Sequence, residues 1–191
     1  MRIWNSLGQA NNEIAALNTG TALTIGNFDG VHRGHQAIIR RVAELAQKFG
    51  SLPVVVTFLN HTQELFGQAP PLINQPIVRQ KLLAEYGLAA ILEVEFSHQF
   101  ALLSPEAFFD DWLVKGLKAA AIVVGHDFRF GAGGKGDYQL LRKLTKTAEI
   151  YSEQFPPVVE GGEVISSSRI RRLLLDGSLE AANRMLGYPF T

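Results

Sequence analysis

Residues Thr21 to Phe49 read TALTIGNFDGVHRGHQAIIRRVAELAQKF, and the order of events in that stretch decides the fold. A short apolar and β-branched run, Thr21 to Phe28, leads into a turn with glycines at Gly26 and Gly30. It gives way to Arg33 to Phe49, whose apolar residues recur every three or four positions. The first part has the composition of a strand and the last the period of an amphipathic helix. The same alternation continues outward. Leu52 to Phe58 (LPVVVTF), Ala89 to Phe96 (AAILEVEF), Ala119 to Gly125 (AAAIVVG) and Ala148 to Phe155 (AEIYSEQF) bring the strand candidates to five. Helical patterns fill Gln75 to Tyr86, Pro105 to Leu113 and Tyr138 to Thr147 between them. Because the second and fourth strands are almost wholly apolar, the sequence predicts an α/β fold whose parallel sheet is covered on both faces. Two helices, Ser166 to Leu175 and Ser178 to Leu186, are expected to close the chain, and Asn60 to Gln75 reads as a loop over the strand ends.

Composition narrows the chemistry. A length of 191 residues suits one domain, and 47% apolar with 19% charged residues excludes disorder as the main state. Lys plus Arg and Asp plus Glu are both 18, so no basic field exists to hold a polyanion, and nucleic acid is not expected as the main ligand. The absence of cysteine removes disulfides, thiolate metal sites and a thiol nucleophile. No apolar run has the length of a membrane span, and Met1 to Asn12 lacks the layout of a signal peptide, so a cytoplasmic protein is expected. His, Ser, Asp, Arg and Lys are left to do the chemistry.

In a parallel sheet ligands lie beyond the carboxyl ends of the strands, so the segments that follow strands come first. In GNFDGVHRGH, Gly26 to His35, two glycines let the backbone turn sharply and the next helix points its N-terminus at the same place, which makes an anion site. His32 and His35, three residues apart, share one face and can donate to phosphate oxygens. The plainer readings are a capping turn with two surface histidines, or half of a metal site. Ser166 in ISSSRIRR is a good N-cap, and Ser167, Ser168 and Arg171 can grip an anion at a second helix start or form an ordinary solvated basic face. One triphosphate can span both starts. The third segment, GHDFRFGAGGKGD from Gly125 to Asp137, spells G-x-G-x-x-G at Gly131, Gly133 and Gly136, with Glu153 near the place of a ribose-binding acid. Five residues separate that motif from the strand end, which opposes a dinucleotide fold, and Gly136 after Lys135 opposes a P-loop. Asp127, Phe128 and Arg129 could meet a hydroxyl, a planar ring and a charged group, or belong to an ordinary glycine-rich loop.

His32-x-Gly34-His35 and ISSSRIR resemble the paired signatures H-x-G-H and I-S-S-T-x-I-R of the nucleotidyltransferase superfamily. The longer run TIGNFDGVHRGHQAII, with GHDFRFG and the terminal LLLDGSLEAANRMLGYPF, resembles the adenylyltransferase module of the bacterial bifunctional riboflavin kinase/FAD synthetase family over Thr21 to Phe190. That resemblance implies a Rossmann-like parallel sheet of the HxGH type with C-terminal helices, residues 1–191 forming one domain. It implies transfer of the adenylyl group of ATP to FMN, giving FAD and pyrophosphate. His32, His35, Ser167, Ser168 and Arg171 would be the catalytic set, and Gly26, Asn27, Phe28, Asp29 and Gly34 would line the ATP side. Phe58, His61, Asp127, Phe128 and Arg129 would line the flavin side. Mg²⁺ would be held mainly by the phosphates. The resemblance carries no expectation about oligomeric state.

Three departures stand out. The family usually continues into a riboflavin kinase barrel after the motif at Gly187 to Phe190, and this sequence stops at Thr191, so riboflavin phosphorylation is not expected of it. Where the family tends to have T-F-x-P-H-P, Thr57 to Thr62 reads TFLNHT, and Gly134 stands where arginine is common. Proline pre-sets loop backbone, so restoring it at Asn60 and Thr62 is expected to tighten FMN, unless Asn60 donates a hydrogen bond that proline cannot, in which case binding weakens. Other phosphate-bearing acceptors, a flavin-nucleotide binding or sensing protein without turnover, and a tRNA-binding relative of the superfamily complete the alternatives. Neutral charge argues against the last.

Overall fold

A computed structural model of the chain describes residues 1–67 and 69–190. Gln68, within the expected loop, and Thr191, at the end of the expected domain, lie outside the described residues. In chain order the elements are β1 (Arg2–Trp4), α1 (Leu7–Ala16), β2 (Thr21–Ile25), α2 (Arg33–Phe49), β3 (Leu52–Phe58), α3 (Pro76–Ala84), β4 (Ala90–Val94) and α4 (His98–Ala101). There follow α5 (Pro105–Ala107, continued by a wider π-type winding over Phe108–Gly116), β5 (Ala119–Val124), α6 (Tyr138–Thr147), β6 (Tyr151–Gln154), β7 (Val159–Glu160), β8 (Glu163–Val164), α7 (Ser167–Leu175) and α8 (Leu179–Leu186).

Six strands form one sheet in the order β1-β4-β3-β2-β5-β6, and every neighbouring pair is parallel. Alternate side chains of each strand face opposite layers. Leu23, Val54, Val56, Leu92, Ile122 and Val124 pack with α1, α6 and the helix around Phe109 and Leu113. Val55 and Ile91 meet α2 and α3, and Ala22, Ala121 and Val123 meet Val42, Leu45 and Ala46 of α2. Both faces are therefore dry, as the apolar runs of β3 and β5 require. Local chemistry sets the helix boundaries: Ser6, Ser104, Asp137 and Ser166 accept first-turn N–H bonds, and Gly50 ends α2 in the left-handed region at φ 59°.

The five expected strands are all present, with corrected ends. β2 stops at Ile25 rather than Phe28, and β6 is confined to Tyr151–Gln154 because α6 caps at Ala148 and Glu149 turns through φ 56°. A sixth strand, β1, adds an edge and buries Trp4 completely against the sheet. Three residues carry no readable period, and α1 buries only Ala10 and Ile14, too few to mark a helix. The short β7–β8 hairpin, turning on Gly161 and Gly162 at φ 61° and 83°, also goes unannounced. The chain runs from β2 to β3 on one side and places β5 on the other, so the order reverses at β2 and a crevice opens where the carboxyl ends of β2 and β5 diverge.

Candidate active site

The loop that leaves β2 is held in a costly shape. Phe28 and Val31 take φ 50° and 34°, a region side chains rarely adopt, beside Gly30 at 81°. Contacts from distant parts of the chain over-determine it. The buried Asp29 carboxylate accepts the N–H of Ile73 at 3.0 Å and of Asn74 at 3.3 Å, and an Arg171 N–H at 2.7 Å. Gln36 donates to the Val31 carbonyl at 2.8 Å and the Leu186 carbonyl at 2.7 Å. The Tyr188 hydroxyl lies 2.6 Å from the Gly30 carbonyl, and burial pushes its pKa up to about 12. The terminal GYPF motif thus acts as a strut for the glycine turn.

His32 is the N-cap of α2, and its Nδ1 accepts the His35 N–H at 3.3 Å. The two imidazoles stack with centroids 3.6 Å apart, and Phe28 packs on His35 at 4.9 Å. Neither ring is the loosely held surface histidine of the plainer sequence reading: His32 is only 6% exposed. Burial pulls its pKa down to about 4 against the opposing pull of Asp29 and Asp127. Burial, with His32 alongside, takes His35 well below its ordinary value. Both rings are therefore neutral at pH 7. Since His32 Nδ1 accepts a bond and His35 Nδ1 is buried without a partner, the proton of each belongs on Nε2, the nitrogen left to serve a ligand. Gly34 makes room for this pair, because a methyl there would lie 3.1 Å from the His32 ring.

The start of α7 faces the same crevice. The Ser167 hydroxyl is already engaged, donating to the Asp29 carbonyl at 2.8 Å, so what Ser167 and Ser168 offer together is first-turn backbone N–H. Arg171 donates from Nε to the Pro71 carbonyl at 2.8 Å and from Nη2 to Asp29, while Nη1 has no protein partner among the described residues. Asp29, expected on the ATP side, lines the crevice and anchors Arg171 and the Ile73–Asn74 backbone.

Two adjoining cavities result. The larger, about 440 Å³, has a mixed polar wall that includes Gly26, Asn27, Phe28, Asp29, His32, Gly34, His35, His61, Asp127, Ser167, Ser168 and Arg171. The smaller, about 290 Å³, is walled by Phe58, Phe96, Phe100, Leu103, Phe108, Phe128 and Phe130, with Arg129 among its lining residues. Gly26, Asn27, Thr62 and Phe128 line both. Of the residues expected on the flavin side, Phe58 and Arg129 line the aromatic cavity and Phe128 the junction, whereas His61 and Asp127 line the larger, polar one. Burial, then the nearby Arg171 charge, lowers the His61 pKa, so His61 stands in the polar cavity as a neutral ring at pH 7.

The G-x-G-x-x-G segment is a wall and not a nucleotide loop. Gly131, at φ 71°, has Pro105 within 2.6 Å of where a Cβ would stand, and Gly136 has the Phe130 ring at 2.7 Å. Glu153, the would-be ribose acid, is instead bonded by Arg41 and Tyr151 at 2.9 and 2.8 Å. The TFLNHT loop is also corrected. The Asn60 carboxamide accepts the Phe96 N–H at 2.8 Å and donates to the Phe96 carbonyl at 3.2 Å, and Thr62 accepts from Asn27 at 3.2 Å. Hydrogen bonds across the strand ends hold a loop that prolines would have stiffened.

Sequence reasoning missed Arg79, Glu93, Gln36 and Tyr188, and the aromatic wall beyond Phe58 and Phe128. Glu93 left a signal, an acid inside an otherwise apolar strand, and Phe96, Phe100 and Phe108 are closely spaced. Among the described residues no group of three or more His, Asp or Glu is arranged to hold a metal ion, and no helix is long and apolar enough to cross a membrane.

Comparison with known proteins places this geometry. A family model described as FAD synthetase matches residues 14–169. The chain is 40% identical over 173 residues to the bifunctional riboflavin kinase/FMN adenylyltransferase of Escherichia coli (strain K12), covering 90% of this chain and 55% of that one. It is 33% identical to a FAD synthetase of Listeria monocytogenes, covering 88% of this chain and 69% of that one. A solved structure from Streptococcus pneumoniae, described as a macrolide-efflux protein, superposes with a TM-score of 0.80 at 31% identity, covering 90% of this chain and 66% of that one. The chain spans about half the length of the bifunctional relatives it matches. With the family model running from within α1, through β2 to β6 of the parallel sheet, to the first turn of α7, the chain belongs to the FAD synthetase family.

Proposed function

We propose that this chain is an FMN adenylyltransferase, joining ATP and FMN into FAD with release of pyrophosphate, and that the described residues act as one adenylyl-transfer module. The observation that carries the reading is the junction of the two cavities: an aromatic slot fit for a planar ring opens, past Gly26, Asn27 and Phe128, into a polar cavity faced by two helix N-termini. A ring in the slot would bring a phosphate on its side chain toward a triphosphate in the larger cavity. An oxygen of the FMN phosphate attacks the α-phosphorus in line, forming the new P–O bond as the bond to the β-phosphate oxygen breaks and pyrophosphate carries away the electron pair. A phosphate dianion needs no general base, so positioning and charge stabilisation supply the catalysis. His32 and His35 donate from Nε2 to oxygens whose charge grows, while the α7 N-terminus and Arg171 Nη1 hold the outer phosphates. The donor set fits phosphate better than a bare metal, so Mg²⁺ would enter on the ATP oxygens, where it neutralises charge.

Incubation of the chain with ATP, Mg²⁺ and FMN, followed by chromatography, is expected to yield FAD and pyrophosphate in equal amounts. FAD binding without pyrophosphate release would instead indicate a flavin-nucleotide sensor. Turnover confined to nicotinamide or pantetheine phosphates would change the acceptor and keep the chemistry.

The altered loop gives a second test. Replacing Asn60 and Thr62 by proline is expected to weaken FMN binding, reversing the expectation drawn from proline alone. Two prolines gain about 0.4 to 1 kcal/mol each where the backbone permits. The Asn60 change alone removes both bonds to Phe96, at about 0.5 to 1.5 kcal/mol each, and strips partners from that backbone. Flavin fluorescence titration should show FMN held several-fold more weakly by the double variant. Tighter binding would mean that the Phe96 tie contributes nothing to the slot.

A further inference from the structure

We propose that Arg79 is a positioning residue for the phosphate cavity, acting through the Asn27–Phe28 peptide. Arg79 lines neither cavity and its side chain is 7% exposed. Its Nη1 donates to the Asn27 carbonyl at 3.2 Å and its Nη2 to the Phe58 carbonyl at 2.9 Å, so one guanidinium holds the chain where it leaves β2 and where it ends β3. Behind it stands Glu93, 4% exposed, 3.5 Å from Nη2 and itself held by Gln80 at 2.9 Å.

Stability does not account for this arrangement. Ion pairs buried as this one is, at the carboxyl ends of β3 and β4, are often replaceable by packed apolar side chains at little or no cost, and Arg79 Nε is left buried without a partner. What apolar side chains cannot do is fix a carbonyl. Every described peptide bond is trans, and in a trans peptide the C=O and the following N–H point in opposite directions. With the Asn27 carbonyl drawn inward to Arg79, the Phe28 N–H is turned outward. Asn27 and Phe28 both line the phosphate cavity, and the Phe28 N–H makes no hydrogen bond to the described residues. Phe28 sits in the left-handed region at φ 50°, a conformation that successive N–H groups use to cradle anions. Arg79 thereby sets the direction of a backbone donor it never touches, with Thr57 Oγ1, 3.2 Å from the same Asn27 carbonyl, as a lesser second hold.

The inference rests on the adenylyl-transfer reading only in taking the polar cavity as the seat of the ATP phosphates. It is tested by calorimetric titration with Mg·ATP, magnesium pyrophosphate and adenosine. In Arg79→Lys the ammonium still faces Glu93 but cannot reach both carbonyls. Affinity for ATP and for pyrophosphate should fall about tenfold while that for adenosine stays within about twofold. Thr57→Val, a milder loosening of the same carbonyl, should show the same pattern at about threefold, and it carries the test if Arg79→Lys does not fold. Glu93→Gln, which leaves the fork in place, should lower the melting temperature with phosphate affinity nearly unchanged. Equal losses for all three ligands, or none, in Arg79→Lys and Thr57→Val would overturn the positioning role. A wild-type chain that binds none of the three probes would overturn the adenylyl-transfer reading instead.

Discussion

Arg171→Ala is expected to lose both stability and ATP, and the two losses have separate causes. The Arg171 and Asp29 side chains are 12% and 3% exposed, and removing the cation strands a buried carboxylate. Breaking such a pair costs about 3 to 5 kcal/mol, with the lower end expected here because Ile73 and Asn74 still donate to Asp29. For a chain of this length about 3 kcal/mol lowers the melting temperature by roughly 6 to 12 °C. The second loss is the free Nη1, the contact assigned to the triphosphate, so calorimetry should show ATP weakened more than FMN. Lysine should recover part of the stability by pairing with Asp29 and little of the ATP affinity, since it lacks the fork that meets Asp29, the Pro71 carbonyl and a phosphate together. The paired replacement Asp29→Leu with Arg171→Met removes the stranded charge but also the acceptor of the Ile73 and Asn74 N–H groups, so it should recover the melting temperature only in part and leave ATP weak. An Arg171→Ala protein that melts normally and binds ATP normally would remove Arg171 from both roles.

What the sequence discloses about this site is what is local. The turn at Gly26 to Gly30, the helix start at His32 and the N-cap Ser166 are each written within ten residues, and the structure has each of them where the sequence puts it. The parallel sheet is legible for a similar reason: LPVVVTF and AAAIVVG leave no polar face. What closes the site is distant in sequence. Tyr188 reaches Gly30 across 158 positions, Ser167 reaches the Asp29 carbonyl across 138 and Asn60 reaches Phe96 across 36. No period or motif encodes such pairings. The aromatic slot illustrates a different limit, since Phe96, Phe100, Phe108 and Phe130 belong to separate stretches of the sequence and no motif joins them. Only their mutual placement, with Phe58 edge-on to Phe96 and Phe100, leaves space between them. At Asn60 the sequence leaves two outcomes open, a loop loosened by the missing proline or one tied by the carboxamide, and only the distant partner Phe96 decides for the second.

The histidine pair should affect turnover more than any other single site, and in a way that pH exposes. His32→Ala and His35→Ala are each expected to slow FAD formation by about 10²- to 10³-fold, the scale for losing one preorganised donor to the transition state. His32→Ala also removes an N-cap and a buried ring, so it should cost about 1 kcal/mol or more of stability besides. His32→Asn keeps a capping side chain and should recover stability ahead of rate, separating the two effects. The acid response follows from the lowered pKa. With His32 near 4 in the fold and near 6.5 when unfolded, the unfolded chain takes up the proton first as pH falls. The stabilisation is whole above about pH 6.5 and is lost progressively toward pH 4, on the order of 2 kcal/mol by pH 5 from His32 alone. Thermal melts between pH 7 and 4.5 should therefore fall more steeply for the wild type than for His32→Asn, and NMR titration should find the His32 imidazole neutral at pH 5.5. Any fall in rate near pH 6 would then belong to the FMN phosphate, whose second proton binds there, and should persist in the His32→Asn variant. An imidazole titrating above pH 7 at position 32 would mean that the histidine acts as a cation, and the neutral Nε2 donor would have to be abandoned.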